Sequence, residues 1–103
     1  MTEADLMRAI MVALSADGHF VVRANVGLFF TKDGRPVRSG LPVGFADVFG
    51  HRAGDARAFY LEVKTATGRA SPAQLAFIAA MQKRGALASI VRSVEDARRV
   101  LAG

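Results

Sequence analysis

The feature that most limits the fold is a pair of strand-like segments, residues 45–50 and 58–64, joined by a short link. The alternation and flanking turn residues of both segments are typical of β-strands. The link contains Gly54-Asp55, a plausible two-residue hairpin turn with glycine in the first position. The two segments are therefore expected to be antiparallel neighbours in one sheet.

Before this hairpin, the apolar pattern changes twice. Residues 2–16 have apolar side chains at helical spacing and capping residues at the start, which predicts a first helix. Residues 19–30 are rich in Phe and Val, and Asn25 and Gly27 interrupt them. This segment predicts one long bent strand or two short ones. Residues 31–44 are basic and rich in turn residues, so they are expected to form a loop or a ragged hairpin tip.

After the hairpin, a second helix starts at Ser71-Pro72-Ala73-Gln74, where serine is the N-cap, proline is first in the helix and glutamine completes a capping box. The helix is expected to end at Gly85. Residues 86–91 then predict a buried strand, and Ser93 begins a last helix with Ala97, Val100 and Leu101 directed inward. The predicted order is αβ(β)ββαβα, an α/β fold.

The register of the hairpin decides which side chains meet. If the turn is centred between Gly54 and Asp55, Asp47 lies directly across from Glu62. Strand alternation places Lys64 on the same face as Glu62, roughly 7 Å along the strand. The apolar neighbours of Glu62 point to the opposite face, where the core could lie. Two carboxylates and one lysine are thus expected to converge on one patch.

Such a patch suits hydrolysis of a phosphodiester. Like charges across a strand pair are destabilising unless something compensates, and a divalent cation would do so. A hard cation held by carboxylates polarises phosphoryl oxygens and activates water, while an ammonium group stabilises negative charge or helps to deprotonate that water. Oxygen ligands favour Mg²⁺ or Mn²⁺ over zinc. The alternative is that Glu62 and Lys64 are solvated strand charges and Asp47 a turn residue, as in most isolated Glu-x-Lys patterns.

Further residues have both a functional and a structural interpretation. Glu3 lies on the apolar stripe of the first helix and could point toward the site, but a helix dipole also favours glutamate in a first turn. Gln74 is explained by its capping-box role without any function. Phe49 and Tyr60 could stack on a base, although cross-strand aromatic packing explains the pair as well.

Composition excludes several classes of protein. The 103 residues, 51% of them hydrophobic, suit a single domain with one core. The chain has no cysteine and two histidines, which excludes thiolate zinc sites and cysteine nucleophiles. No apolar run of about 18 residues predicts a membrane span, and no secretory signal is recognised, so we expect a soluble, cytoplasmic protein with no membrane partner.

The positive charges are unevenly distributed. The net charge is +5, and five basic residues but no acidic one occur between Val63 and Val94. A second basic group surrounds a single acid, Asp33. Stretches of this kind can neutralise phosphates, although basic surfaces also merely keep proteins soluble. The residues that we predict to contact nucleic acid are Lys32, Arg35, Arg38 and Arg69.

Three motifs in order strongly resemble the virus-type replication-repair nuclease (VRR-NUC) family of the PD-(D/E)xK superfamily. They are Gly40-Leu41-Pro42-Val43-Gly44-Phe45-Ala46-Asp47, Leu61-Glu62-Val63-Lys64-Thr65 and Thr67-Gly68-Arg69-Ala70-Ser71-Pro72-Ala73-Gln74. Asn25-Val26-Gly27-Leu28-Phe29 and Ile90-Val91-Arg92-Ser93-Val94-Glu95-Asp96-Ala97 are similar to flanking segments of that family. One departure is Ala46, at a position that is often proline in the superfamily. Because proline is not a ligand, the chemistry should survive.

The resemblance implies a restriction-endonuclease-like fold, with a central mixed sheet flanked by helices, and a set of site residues. The implied metal ligands are Asp47, Glu62, the Val63 backbone carbonyl and Glu3, and the implied catalytic residues are Asp47, Glu62, Lys64 and Gln74. The short stand-alone members of the family look like homodimeric, phage-type enzymes that act on branched DNA such as Holliday junctions. The resemblance leaves open whether a helicase partner is needed. It favours the nucleoid of a bacterial or phage-infected cell as the location.

The leading hypothesis is a Mg²⁺-dependent endodeoxyribonuclease, with Mn²⁺ as a substitute metal, that prefers DNA structure over DNA sequence. Nothing in the chain resembles a recognition helix or a base-reading module. The alternative is a catalytically inactive nucleic-acid-binding module with the same fold, an interpretation motivated by the basic loop and Ala46. A third interpretation, a basic protein-interaction domain such as a toxin or antitoxin partner, rests only on size and charge.

Overall fold

A four-stranded mixed sheet lies at the centre of the molecule. The computed structural model describes residues 1–25 and 28–103. In chain order its elements are α1 (Glu3–Ala16), β1 (Phe20–Arg23), β2 (Leu28–Phe30), β3 (Pro36–Arg38), β4 (Val48–His51), β5 (Ala58–Val63), α2 (Pro72–Lys83), β6 (Leu87–Val91) and α3 (Val94–Leu101). The sheet order is β1-β4-β5-β6, in which β5 and β6 are parallel and the other pairs are antiparallel. The predicted α/β class with a mixed sheet is confirmed.

The structure contains one strand that the predicted order omits. Residues 36–38, placed by the sequence in a loop or ragged hairpin tip, form β3 and pair with β2 in a separate two-stranded sheet. The predicted hairpin tip is therefore residues 31–35, and the prediction missed the strand that follows it. The segment 19–30 contains two short strands rather than one long one. Of the two residues predicted to interrupt it, Gly27 lies outside the described residues.

The central hairpin has the predicted register but a different turn. The Arg52 amide donates to the Arg57 carbonyl at 2.9 Å, and the Ala56 amide donates to the Arg52 carbonyl at 3.0 Å, so four residues form the loop. The predicted two-residue turn is wrong, because Arg52 also donates to the Asp55 carboxylate at 2.6 Å and holds the longer loop together. The loop remains centred between Gly54 and Asp55. The pairing of β4 with β5 is therefore unchanged.

Helices α1 and α3 cover one face of the sheet. The first residues of both helices are capped as predicted, by Thr2 with Asp5 and by Ser93. Alternate β5 side chains, including Leu61 and Val63, join these helices in the core as expected from strand alternation. The members of this core cluster with 0% exposure are Ile10, Leu14, Val48, Phe59, Leu61, Val63, Val91 and Ala97. Within the described ranges, no helix has the length and apolarity needed to cross a membrane.

Helix α2 covers the opposite face through an aromatic cluster. Phe49 and Tyr60 stack across the hairpin with ring centroids 6.3 Å apart, so cross-strand packing accounts for this pair. Phe77 of α2 contacts Tyr60 at 5.5 Å, and Phe45 lies between them with its ring 4.7 Å from that of Phe77. This cluster anchors α2 beside the segment that precedes β4. The same face of the sheet carries the two carboxylates considered next.

Candidate active site

Asp47 is positioned by the backbone on both sides of it. It directly precedes β4, and the register that pairs Val48 with Leu61 brings Asp47 level with Glu62. The Asp47 carboxylate accepts a hydrogen bond from the Val63 amide at 2.9 Å. Its own carbonyl accepts one from the Ala24 amide at 2.8 Å. These two bonds fix the carboxylate against the end of β5.

Glu62 is a buried carboxylate with one oxygen left free. Only 1% of the residue is exposed. Its Oε1 atom accepts from Gln74 Nε2 at 2.8 Å and lies 3.5 Å from Lys64 Nζ, whereas Oε2 has no hydrogen-bond partner among the described residues. A buried polar atom without a partner is costly, so such an atom in a folded protein calls for an explanation.

The electrostatics of Glu62 follow from this placement. Burial, and after it repulsion from Asp47, raise the pKa of the Glu62 carboxyl group to about 8, while Lys64 acts in the opposite direction. The two carboxyl groups are close enough for Glu62, when protonated, to donate to Asp47. Without a cation, burial therefore favours the protonated form of Glu62.

Lys64 completes the predicted patch. It immediately follows β5, and its amide donates to the Val91 carbonyl at 3.1 Å, which continues the pairing with β6. The side chain is 13% exposed and its ammonium group faces Glu62. The structure thus brings Asp47, Glu62 and Lys64 together on one face, as the register argument predicts.

Gln74 has a structural contact and a site contact at the same time. Its Oε1 atom accepts from the Ser71 amide at 2.8 Å, which is the capping-box bond. Its Nε2 atom donates to Glu62. The two sequence interpretations, helix cap and site residue, are therefore compatible because different atoms of one amide satisfy each of them.

Gly44 allows the segment before Asp47 to approach α2 closely. Its φ is +87°, and a Cβ atom built there would lie 2.5 Å from the Ala73 carbonyl oxygen. Any side chain would therefore push the segment away from the start of α2. Ala46, the residue directly before Asp47, is fully buried at 0% exposure.

The donor set fits a hard divalent cation. Asp47 and Glu62 supply carboxylate oxygens. A bound cation would give the buried Oε2 atom of Glu62 the partner that it lacks among the described residues. Mg²⁺ commonly uses one or two protein carboxylates and takes its other ligands from water and phosphate. Within residues 1–25 and 28–103 there is no group of three or more acidic or histidine side chains that could hold a metal. Glu3 is exposed in the first turn of α1 and does not join the pair in such a group.

The predicted nucleic-acid contacts lie on the surface. We call the two strands β2 and β3 and their connecting turn the basic hairpin, because Lys32, Arg35 and Arg38 are all exposed on it. Arg35 forms an ion pair with Asp33 at 3.1 Å. Arg69 is exposed in the loop between β5 and α2.

A cleft beside the carboxylates was missed by the sequence analysis. The cleft, here called the Arg23 cleft, has a volume of about 420 Å³ and opens next to Asp47 and Gln74. Its other lining residues include Arg23, Asn25, Phe29 and Val43. The available signal was weak: Arg23 is a single charge at the end of an apolar strand.

Arg92 was also missed. Its Nη1 atom donates to the Thr65 carbonyl at 2.6 Å and to the Gly68 carbonyl at 2.8 Å. It therefore holds the loop that begins directly after Lys64. These two contacts join residues that are 27 and 24 positions apart in the sequence, so no local sequence pattern predicts them.

Two solved structures share this arrangement of helices and strands. A chain described as "VRR_NUC domain" superposes with a TM-score of 0.67 and 20% identity, over 97% of this chain and 94% of that one. A "VRR_NUC domain protein" superposes with a TM-score of 0.63 and 20% identity, over 99% and 86%. Comparison with family models gave no match, and comparison with curated proteins gave no significant match.

The fold is therefore the restriction-endonuclease-like fold, with a carboxylate pair and a lysine on the face covered by α2. More narrowly, it is the fold of the VRR_NUC domains, in agreement with the resemblance that the three motifs carry.

Proposed function

We propose that this chain is a VRR-NUC nuclease, a Mg²⁺-dependent endodeoxyribonuclease in which Mn²⁺ can replace Mg²⁺. One observation carries the proposal: Glu62 is buried beside Asp47 and Lys64, and its Oε2 atom has no hydrogen-bond partner within residues 1–25 and 28–103. A carboxylate pair of this kind is expensive for a fold that uses it only for stability. Perturbed, buried carboxylates in a cleft are typical of functional sites.

The residues of the chain have separate roles in this proposal. Asp47 and Glu62, with the Val63 carbonyl, would hold the cation, which when bound polarises the phosphoryl group and lowers the pKa of a water molecule. The Val63 amide orients Asp47, and the Gln74 amide orients Glu62. Each of these bonds uses one oxygen of its carboxylate, Oδ2 of Asp47 and Oε1 of Glu62, and leaves the other oxygen for a cation. Glu3 remains a predicted additional ligand that would have to reach the site from the exposed first turn of α1.

Lys64 acts at the phosphate rather than at the cation. Its ammonium group, next to Glu62 and mostly shielded from solvent, stabilises the negative charge that develops on the phosphoryl oxygens. By stabilising hydroxide, the same positive charge also favours loss of a proton from the attacking water to the solvent. The buried position strengthens both effects, because a charge interaction at a given distance is stronger where water is excluded.

The proposed substrate is branched DNA, such as a Holliday junction, cut with structure rather than sequence preference. The exposed cations of the basic hairpin and Arg69 support binding to phosphates. We further propose that two copies act on one junction, since a chain of this size cannot contact all arms alone. Light scattering at the assay concentration tests this, and a monomer that cuts both strands of a junction symmetrically would contradict it.

A cleavage assay tests the function directly. Labelled linear, flapped and four-way DNA are incubated with the wild type, Asp47→Asn and Glu62→Gln, with Mg²⁺, Mn²⁺ or a chelator. We expect metal-dependent cleavage by the wild type, preferentially of the branched forms, and none by the two variants. If the wild type binds DNA but cuts none of the forms with either metal, the inactive binding module is the better description.

A further inference from the structure

Arg92 lies at the end of the sheet that carries Lys64, and its backbone is held on two sides. It directly follows β6, and the carbonyl of the preceding residue, Val91, accepts from the Lys64 amide at 3.1 Å. The Arg92 amide donates to the Asp96 carboxylate at 3.0 Å, which ties it to the first turn of α3. Because β5 and β6 are parallel and pair Val63 with Val91, Arg92 and Lys64 leave the sheet side by side.

The guanidinium group of Arg92 closes the turn that follows Lys64. Its Nη1 atom donates to the Thr65 carbonyl at 2.6 Å and to the Gly68 carbonyl at 2.8 Å, so one nitrogen holds both ends of residues 65–68. The Gly68 amide also donates to the Thr65 carbonyl, at 3.1 Å. Two of these three hydrogen bonds come from Arg92, and the shape of the 65–68 turn therefore depends on it.

The 65–68 turn lies along the aliphatic stem of Lys64. A Cβ atom built on Gly68 would be 3.5 Å from both the Cβ and the Cδ atoms of Lys64, which is ordinary van der Waals contact. The Lys64 side chain is 13% exposed, and its ammonium nitrogen lies 3.5 Å from Glu62 Oε1. A lysine side chain is a flexible four-carbon chain, and one ion pair at this distance does not hold it in a single conformation. The turn therefore forms a wall that confines the stem.

From these contacts we propose that Arg92 is a positioning residue for the reaction: by holding the 65–68 turn, it keeps the ammonium group of Lys64 in place beside Glu62. The inference rests on the proposed function. Arg92 acts through Lys64 rather than on the substrate, so its effect should appear in the rate of the bound complex. A displacement of about 1 Å can lower a rate on the order of a hundredfold, so a loosened turn should slow cleavage.

Single-turnover cleavage of flapped and four-way DNA measures this effect. The protein is in excess over DNA and saturating, with Mg²⁺ present, so that the rate of the bound complex is separated from DNA affinity. The variants are Arg92→Ala, Lys64→Met and the double variant. Arg57→Ala is the matched control, because Arg57 is also exposed and also donates to a distant backbone carbonyl, that of Gly85 at 3.0 Å. Arg57 directly precedes β5, at the strand end opposite to Lys64.

We expect Arg92→Ala to lower the single-turnover rate about tenfold or more, and to change DNA affinity no more than Arg57→Ala does. Arg57→Ala removes the same charge and should cut at the wild-type rate. The double variant should be no slower than Lys64→Met, because two residues that act through one group have non-additive effects. If Arg92→Ala does not fold, Arg92→Met replaces it, since methionine keeps most of the stem and removes the donors.

Acetylation of lysine side chains tests the same arrangement without DNA, metal or turnover. Besides Lys64 the chain contains Lys32 and Lys83, which are exposed and serve as internal controls. Rates of acetylation are measured by mass spectrometry in EDTA. In the wild type, Lys64 should react several-fold more slowly than the two controls, because its side chain is shielded and paired with Glu62. Arg92→Ala should raise the rate of Lys64 several-fold and leave the rates of both controls unchanged.

Equal single-turnover rates of Arg92→Ala and Arg57→Ala, a further loss of rate in the double variant, or unchanged acetylation of Lys64 would overturn the inference. A loss of DNA affinity alone would also overturn it, because Arg92 would then be a contact to the DNA. A wild type that cuts none of the DNA forms, although Arg92→Ala exposes Lys64 to acetylation, refutes the proposed function and leaves the hold of Arg92 on Lys64 standing.

Discussion

Replacing Glu62 by Gln removes a charge that the fold keeps buried, and it should therefore stabilise the metal-free protein. In the substituted chain, the amide oxygen can accept from Gln74 and Lys64 as Glu62 Oε1 does. The new amide nitrogen takes the place of the unpartnered Oε2 atom and can donate to Asp47. The variant thus imitates the protonated form of Glu62 at every pH.

The pH dependence follows from the raised pKa of Glu62. The pKa is about 8 in the folded protein and near the ordinary value of 4.5 when the chain unfolds. Between these values the folded state binds more protons than the unfolded state, so the free energy of unfolding falls as the pH rises. Stability from this group is fully present below about pH 4.5 and is lost as the pH rises through about 8. Each pKa unit is worth about 1.4 kcal/mol, so the total is on the order of a few kcal/mol.

Urea unfolding followed by circular dichroism measures this effect, which suits a chain without tryptophan. The wild type, Glu62→Gln and the control Glu95→Gln are unfolded at about pH 5 and about pH 8, in EDTA and in excess Mg²⁺. Glu95 is exposed on α3, so its replacement should leave the pH dependence of the wild type unchanged.

In EDTA, the advantage of Glu62→Gln over the wild type should grow by a few kcal/mol from the lower to the higher pH. Mg²⁺ should reduce that advantage at the higher pH, because binding at 100 times the dissociation constant stabilises a protein by about 2.7 kcal/mol and the variant has lost a ligand. If the wild type and Glu62→Gln lose stability in parallel between the two pH values, the electrostatic account of the site is wrong.

Lys64→Met should keep the stabilisation of the wild type by Mg²⁺ but lower turnover roughly a hundredfold or more, because the ammonium acts on transition-state charge; thermal unfolding and single-turnover cleavage separate the two effects. Gly44→Ala should cost roughly 1–3 kcal/mol more than Gly54→Ala in urea unfolding, since both glycines have positive φ but only Gly44 would meet the Ala73 carbonyl. Equal losses would show that the close approach to α2 has no energetic weight. Replacing the three cations of the basic hairpin by glutamine should lower the slope of log affinity against log salt concentration by about three, and an unchanged slope would remove this hairpin from the binding surface.

The sequence alone determined the parts of the fold that depend on neighbouring residues. The caps at Thr2, Ser71 and Ser93 involve residues at most three positions apart, so the starts of all three helices could be predicted. The register of β4 and β5 depends on the centre of one loop, and it survived an error in the type of turn because the loop stayed symmetric about Gly54 and Asp55.

The tertiary structure decided what short-range patterns do not encode. The pairing of β3 with β2 joins three exposed residues on each side. No alternation of buried apolar and exposed polar residues therefore predicted this pairing. The contact of Gln74 with Glu62 and the approach of Gly44 to α2 depend on how a helix packs against the sheet. The Arg23 cleft likewise exists only where β1, the basic hairpin and α2 meet.

The burial of Glu62 shows most clearly the difference between what the sequence determined and what the tertiary structure decided. Strand alternation predicted which side chains share its face, because successive residues of a strand point to opposite sides. The same alternation is typical of a solvated strand, so it could not reveal whether water reaches the carboxylate. The tertiary packing around that face, with α2 above it, removes the water and raises the pKa of Glu62, and it leaves the Oε2 atom without a partner among the residues that the structure describes.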